Sequence, residues 1–536
     1  MLRYLNNARL LFPFWVEISM YLTQPLHKAL RECPEREALV FADRRSTYRD
    51  LVRQVATLAS VLKDLGLEDG DRAGILALNS DHYVTFVFGV LWAGGVFNTV
   101  NIRWSPVEIA YSLDDCDTRI LFVDDEFVPL IDEVRARSKS LETVVYVGEK
   151  TCPEGMLSLA GLMAGTDPVD DAGRSGDQLA CILYTGGTTG APKGVMLSHA
   201  NLYTCSIGAV MLACRGDGVV GLHSAPFFHV AGVGLILQLT LRLGTHVIVP
   251  RFEEVAVMSA IQRERVVETF LVPTMMRAVL AHPRFPEFDL SSLRCMMYGA
   301  SPIDSTLLKK AMTAWPEASF LQLYGMTELS PVVCILPDYC HSDAAYADKL
   351  MAAGLPAHMA EVRVVDGEDN EVPRGQVGEI VARGPMVMRG YWNKPEQTEE
   401  ALRRGWMHTG DAGYMDDAGY VFLVDRIKDM VVTGGENVYS VEVEDALLRM
   451  PAIAQCAVIG VPDEKWGERV HAVIVPAGGA EISEADIVAH CKTLIANYKC
   501  PRSFEFVDQM PLSGAGKILK YKLKEAHWGD RGRRIG

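Results

Sequence analysis

The sequence contains no C-x-x-C pair. Its twelve cysteines are scattered, and the two nearest each other are Cys334 and Cys340. That spacing excludes a disulfide framework and a cysteine zinc site, and it fits a reduced, cytoplasmic setting. A basic surplus is also missing, because the net charge is -16. Nucleic acid is excluded as a partner, since nothing neutralises phosphates in bulk. Any anion site must be a local positive field on an acidic molecule. Long apolar runs are missing as well. The apolar stretch Leu10–Val16 is interrupted by Pro13 and ended by Glu17. It is too short for a transmembrane segment, and neither a small-residue cleavage site nor a lipid-anchor motif accompanies it. Residues 1–22 read as a core-docked or homodimer-contacting segment, the alternative being peripheral membrane contact. Repeats and low-complexity tracts do not occur.

What is present is ample core material: 49% of the 536 residues are hydrophobic. At roughly 150 residues per domain, three or four structural units are expected. Thr47 can cap a helix with Leu51, Val55, Leu58, Leu62 and Leu65 on one face, ended by Gly66. Strand 73–78, helix 81–92, strand 96–100, helix 105–114 and strand 120–123 follow. The alternation resumes with strand 295–298, helix 304–314 and strand 320–324. Strands alternating with helices predict an α/β fold with parallel sheets covered on both faces. From 361 to 424 the texture changes to short strands at 361–365, 376–382 and 419–424, separated by Gly- and Asp-rich turns. This predicts a β-rich subdomain over about 355–425. An α+β unit ends the chain, with strands at 455–461 and 471–475 and a helix at 483–494.

One stretch organises the rest: Tyr184, Thr185, Gly186, Gly187, Thr188, Thr189, Gly190, Ala191, Pro192, Lys193, Gly194. The apolar run 179–183 leads into it as a buried strand. Glycines let backbone amides converge on an anion, threonine hydroxyls add donors, and Lys193 adds a mobile charge. This is chemistry for a polyphosphate; the alternative is an ordinary surface loop. It is not a Walker loop, because Pro192 precedes the lysine and Gly194 follows it, so no helix opens there.

Further stretches follow in order. Tyr298, Gly299, Ala300, Ser301 and Pro302 are small enough after the tyrosine for a flat ring to slide against the backbone. Gln322 to Glu328 delivers Tyr324 as an aromatic platform, Thr327 as a donor and Glu328 as a carboxylate. A carboxylate beside phosphates calls for a hard cation, and Mg²⁺ suits that role. Asp411 closes Trp406-Met-His-Thr-Gly, and a carboxylate can accept both hydroxyls of a ribose. Arg426 stands in Asp425-Arg-Ile-Lys428-Asp429, and Lys517 in Pro511-Leu-Ser-Gly-Ala-Gly-Lys. His229 lies in His223-Ser-Ala-Pro-Phe-Phe-His-Val-Ala-Gly232. Taken singly, each has a plain structural reading: a turn, a solvated charge, a buried histidine.

Taken together, in this order, they resemble the adenylate-forming superfamily of acyl-CoA synthetases, luciferases and peptide-synthetase adenylation domains. Within it, bacterial fatty-acid and aryl-acid CoA ligases are most similar. The resemblance runs from about Pro25 to about Lys522. It implies a large N-terminal domain, 1–427, and a small mobile C-terminal domain, 428–536, hinged at Lys428. It implies that 185–190 and Lys193 hold phosphates, and that Gly299, Ala300 and Ser301 receive adenine. Tyr324 would stack on that base, Thr327 contact the α-phosphate and Glu328 bind Mg²⁺. Asp411 would take the ribose and Arg426 the ribose or phosphate. Lys517 would be the catalytic lysine, and His229 with Phe228 would wall the acid pocket from water. Gly434 and Gly435 would leave room for the pantetheine arm of coenzyme A.

The implied reaction is ATP-dependent: acid and ATP give acyl-AMP and pyrophosphate, then coenzyme A gives acyl-CoA and AMP. A cation is needed because carboxylate and α-phosphate repel each other by about 4 kcal/mol at about 4 Å and an effective dielectric near 20. Amino-acid-activating relatives carry an aspartate where His229 stands, so the acid is expected to be apolar: medium or long-chain fatty, aryl or alicyclic. Two departures occur. Some relatives have lysine at the place of Val432 and proline at the place of Ser440. Alternatives are an adenylating enzyme that loads a carrier-protein thiol, a luciferase-like oxygenase, and a non-catalytic nucleotide sensor.

Overall fold

The computed structural model describes residues 20–185, 192–213, 216, 218–478, 480, 482–513 and 517–528. Residues 1–19 and Gly186, Gly187, Thr188, Thr189 and Gly190 lie outside them, as does most of the Ser/Gly stretch before Lys517.

The predicted helix after Thr47 runs Tyr48–Asp64, and Thr47 and Asp50 close a reciprocal capping box at its start. Helix Asp81–Ala93 is capped by Ser80 and ends at Gly94 in the left-handed region. It is apolar all round, and such a helix belongs inside a core; every residue of it but His82 is buried.

Two sheets form the body. In the first, strands Glu37–Phe41, Thr245–Ile248, Val220–His223, Glu268–Leu271, Cys295–Gly299 and Ser319–Tyr324 lie side by side and parallel. Antiparallel strands extend it at both edges. In the second, Leu179–Thr185, Val96–Thr99, Arg72–Leu76, Thr118–Val123 and Thr143–Tyr146 are parallel, and Lys193–Ser198 is antiparallel to the first of these. Helices cover both, as the alternation required, because parallel crossovers place helices on the sheet faces. One apolar cluster joins the two sheets.

The β-rich stretch is a four-stranded antiparallel sheet of Glu361–Val365, Gly378–Arg383, Met407–Met415 and Val421–Arg426. The last hundred residues build another sheet around the long antiparallel pair Ile453–Asp463 and Gly467–Pro476. Helices Ser440–Leu448, Glu484–Leu494 and Lys520–Trp528 accompany it. Its apolar core, including Val431, Val443, Leu447, Val458 and Ile474, is a cluster of its own. Residues 20–22 sit against the body: Leu22 is buried and its N–H donates to His199 Nδ1 at 3.4 Å. Among the described residues no helix is long and apolar enough to cross a membrane.

Candidate active site

Open α/β sheets bind ligands beyond the carboxyl ends of their strands. Three strand ends in this body carry the predicted residues. Strand Leu179–Thr185 and strand Lys193–Ser198 pair with Thr185 opposite Lys193. The phosphate stretch is therefore the connection of an antiparallel pair, and the chain enters a strand after the lysine, in keeping with the exclusion of a Walker loop. The Lys193 ammonium lies 4.8 Å from the centre of the Tyr391 ring. Tyr184, just before the stretch, is fixed by its hydroxyl donating to Asp115 Oδ2 at 2.8 Å.

Strand Cys295–Gly299 ends beside strand Ser319–Tyr324, with Gly299 opposite Leu323. A Cβ on Gly299 would stand 2.1 Å from the Leu323 carbonyl oxygen, so only glycine permits this approach. Ala300 follows with φ 65°, in the left-handed region, and the chain turns away to leave the strand ends open. Tyr324 ends its own strand, buried, and its hydroxyl donates to Asp411 Oδ2 at 2.8 Å. The other Asp411 oxygen faces Arg426 Nε at 3.2 Å. Asp411 and Arg426 are register partners on adjacent antiparallel strands. The β-rich sheet thus brings its carboxylate and guanidinium to the end of a body strand, and the three predicted residues meet.

Thr327, Glu328 and Leu329 form a single 3₁₀ turn directly after that strand. Glu328 is 6% exposed. Burial raises its carboxyl above the usual range, opposed by the Tyr391 hydrogen bond and by the Arg426 and Lys193 cations. Tyr391 donates its hydroxyl to Glu328 Oε1 at 2.8 Å.

His229 precedes helix Val230–Leu241, with its ring 5.0 Å from that of Phe228. Burial lowers its pKa to about 4, helped by the Lys517 and Arg103 cations. The imidazole is neutral at pH 7, and two positive groups face it.

Lys517 comes from the small unit. Its hairpin is closed by Ser513 N–H donating to Lys517 O at 2.7 Å and Lys517 N–H donating to Ser513 Oγ at 3.0 Å. Burial lowers its pKa to about 8; Arg426 pushes in the same direction, while Asp411 and Glu328 oppose. The ammonium therefore shares one field with the nucleotide-side residues of the body. Among the described residues, one hydrogen bond crosses from the body to this hairpin: Arg103 Nη1 donates to Ser513 O at 2.7 Å.

Gly434 and Gly435 turn the hairpin between Val431–Thr433 and Glu436–Val438, with φ 61° and 85°. Both are exposed. The Gly434 N–H donates to Trp466 O at 2.8 Å. Lys428 lies between the last strand of the β-rich sheet and Val431, and its carbonyl accepts from Lys524 Nζ at 3.2 Å. Burial and Arg426 lower its pKa.

Two site residues escaped the sequence reading. Tyr391 has no local motif to mark it. Arg103 had a usable signal, being a lone cation four residues beyond a buried parallel strand, where ligands gather in such sheets.

The comparisons with known proteins agree with this geometry. The AMP-binding enzyme family matches residues 26–392, and the AMP-binding enzyme C-terminal domain matches 442–517. A feruloyl-CoA synthase from Amycolatopsis sp is 38% identical over 501 residues, covering 93% of this chain and 97% of its own. A fatty acid–[acyl-carrier-protein] ligase, ScoC, from Streptomyces coeruleorubidus is 36% identical over 515 residues, covering 94% of this chain and 95% of its own. The crystal structure of the anthranilate CoA ligase AuaEII with anthranoyl-AMP superposes with a TM-score of 0.88 at 28% identity, covering 95% of this chain and 98% of that one. The chain belongs to the AMP-binding, adenylate-forming enzyme family. It is an acid–thiol ligase, an ATP-dependent carboxylic acid–CoA ligase that works through an acyl-adenylate.

Proposed function

We propose that the chain activates an apolar carboxylic acid, aryl or medium- to long-chain fatty, and that the unit from Lys428 onward turns between the two half-reactions. The single observation that carries this reading is the meeting of Tyr324, Asp411 and Arg426 at one strand end of the body, to which the Lys517 hairpin is joined by the Arg103–Ser513 hydrogen bond. The Lys517 ammonium would bridge the acid carboxylate and the α-phosphate, offset their repulsion, and stabilise charge as the carboxylate oxygen attacks phosphorus. Lys517 and Arg103 both act on the neutral His229, so the incoming carboxylate would meet two cations there. Asp411 would hold the ribose hydroxyls and Arg426 the ribose or phosphate. Gly299, Ala300 and Ser301 would receive the adenine, with Tyr324 as its platform. Thr327 would donate to the α-phosphate. Thr185, Lys193 and the stretch between them would hold the outer phosphates. A buried carboxylate that burial makes costly to ionise fits a role as ligand to Mg²⁺. Glu328 would hold Mg²⁺ there, and the ion would supply positive charge that offsets the charge of the phosphates.

The second half-reaction needs the lysine out of the way, so that a thiol sulfur can reach the acyl carbon and AMP can leave. Lys428, at the junction of the two units, would be the pivot. The glycine turn at 434–435, exposed here, would then face the acyl-adenylate and admit the pantetheine arm. The apolar acid is supported by the small residues after His229 and by the named substrates of the relatives. A cytoplasmic location is supported by the cysteines, since the eleven described are all free.

A second reading, transfer to a carrier-protein thiol, rests on the likeness to the acyl-carrier-protein ligase alone, against the CoA ligases among the relatives. A panel of fatty, aryl and alicyclic acids, scored for pyrophosphate release with and without coenzyme A, tests both. The leading reading expects a thioester with free coenzyme A. Pyrophosphate release with no thioester on free coenzyme A would favour the carrier protein.

A further inference from the structure

The small unit brings together three side chains that the ligase reaction does not use. His471 lies on strand Gly467–Pro476, and Glu505 on strand Ser503–Phe506, which pairs parallel to it with Ser503 opposite His471. His527 stands near the end of helix Lys520–Trp528. One ligand atom from each lies within 4.8 Å of the other two. Glu505 Oε2 is 3.8 Å from His471 Nε2 and 3.5 Å from His527 Nε2. In a tetrahedral zinc site with bonds of about 2.0–2.1 Å, neighbouring ligand atoms stand about 3.3–3.4 Å apart. The two distances to Glu505 exceed that spacing by only a few tenths of an ångström, and the two histidine nitrogens, within 4.8 Å of each other, need to close by at most about 1.5 Å.

The buried member is oriented for such a site. His471 is 4% exposed, and its Nε2 has no hydrogen-bond partner among the described residues. At 3.8 Å the Glu505 oxygen is beyond hydrogen-bond reach. A buried nitrogen left in this way carries a desolvation cost that a bound ion would remove. Its other nitrogen, Nδ1, is 2.8 Å from Ser503 Oγ. With the serine accepting from Nδ1–H, the lone pair of Nε2 points at Glu505 and His527; metal-bound histidines are commonly held by such a bond on the far nitrogen. Glu505 and His527 are part-exposed, with side chains 47% and 30% accessible, which gives an ion a way in and water a fourth position.

We propose that His471, Glu505 and His527 bind one divalent transition-metal ion of the zinc class. Two imidazoles and one carboxylate suit such an ion and not Mg²⁺ or Ca²⁺, which take oxygen ligands. The site would join the final helix to the sheet, and that helix begins three residues after Lys517. The same helix pairs Lys520 with Glu444 and Lys524 with Asp429, and Trp528 Nε1 donates to Gly460 O. A bound ion would add a tie at the end farthest from the lysine hairpin. The proposal stands independently of the reading of the acid substrate.

The test uses the full chain and Zn²⁺ alone, followed by calorimetric titration against a competing chelator, with Co²⁺ as a spectroscopic substitute. Glu505→Gln and His527→Gln alter part-exposed side chains, so both variants keep the fold. Wild type should bind one zinc equivalent that each variant binds at least about tenfold more weakly. Zinc should raise the wild-type thermal midpoint more than that of either variant, and Co²⁺ should give tetrahedral visible bands that His527→Gln lacks. Equal zinc stoichiometry and affinity in wild type and both variants would overturn the proposal, even if other groups on the chain hold zinc.

Discussion

The two halves of the site are held in opposite ways. On the body, Tyr324, Asp411, Arg426, Glu328 and Tyr391 are tied to one another, from strand ends and turns whose backbones are fixed by the sheets. The cation that meets them stands on a short hairpin of another unit, joined to the body near that point by the Arg103–Ser513 hydrogen bond. The first arrangement suits residues that keep the nucleotide through both half-reactions. The second suits a group needed for only one of them, because a single exposed hydrogen bond contributes about 1 kcal/mol and is broken at little cost. In the proposed mechanism, order in the body and weak tethering of the lysine would serve the two half-reactions in turn.

The largest test removes the cation. Lys517→Ala should lower acid-dependent pyrophosphate release by about 100- to 1000-fold, the range for losing one preorganised charge-stabilising group. Thioester formation from preformed acyl-AMP should stay within about threefold of wild type, since no carboxylate–phosphate approach remains in that step. Equal losses in both steps, measured by single-turnover kinetics, would erase the contrast between the halves. Next comes the metal. Glu328→Gln should shift the Mg²⁺ titration of pyrophosphate release to about tenfold higher concentration, while ATP at saturating metal still supports turnover. An unchanged titration would remove Glu328 from the metal's surroundings.

The pH profile probes the lysine without mutation. Its pKa is lowered from the usual 10.5 to about 8 by burial and by Arg426. The cation is therefore present below about 8 and lost as pH rises through that value. In the free enzyme, kcat/KM for adenylation should fall above pH 8, approaching tenfold per pH unit. The falling limb should be missing in Lys517→Ala. A profile flat from pH 7 to 10 would show that the ammonium is not held in this field.

Much of this arrangement was readable beforehand. The alternation of strands and helices followed from apolar period and from Thr47, which caps in the structure as read; Ser80, Ser105 and Asp304 cap helices there as well. Most boundaries moved by a residue or two, but the strand expected at 471–475 begins four residues earlier, at Gly467, because it and Ile453–Asp463 extend one antiparallel ladder. The phosphate stretch, Tyr324, Glu328, Asp411, Arg426 and Lys517 stood out because chemistry and order coincided. Their meeting could not be read from spacing: Asp411 is 87 positions from Tyr324, and only the docking of the β-rich sheet brings them to 2.8 Å. Tyr391 was silent for the same reason, since it acts through a partner distant in the chain, whereas Arg103 offered its place just beyond a buried strand. The His471, Glu505 and His527 group was silent too, as its members come from two strands and a helix.

The smallest effects separate the halves most sharply. Tyr391→Phe keeps the ring over Lys193 and removes only the hydroxyl that donates to Glu328. Losing a hydrogen bond to a buried carboxylate at about 1.5 kcal/mol predicts roughly a tenfold loss. With Glu328 proposed to stay with the nucleotide, that loss should appear in both half-reactions and in ATP affinity. Arg103→Ala removes the tie to Ser513 and one of the two cations facing His229. Here the expectation is about a fivefold loss in adenylation, at the low end for an exposed charged donor. Thioester formation from acyl-AMP should be unchanged or slightly faster, since the hairpin leaves more readily. Arg103→Lys restores charge but not the geometry of the guanidinium fork, so it should recover acid affinity more than rate. If Arg103→Ala slowed both steps alike, the arginine would belong with the fixed half of the site, and the difference in how the two halves are held would no longer explain which groups leave between steps.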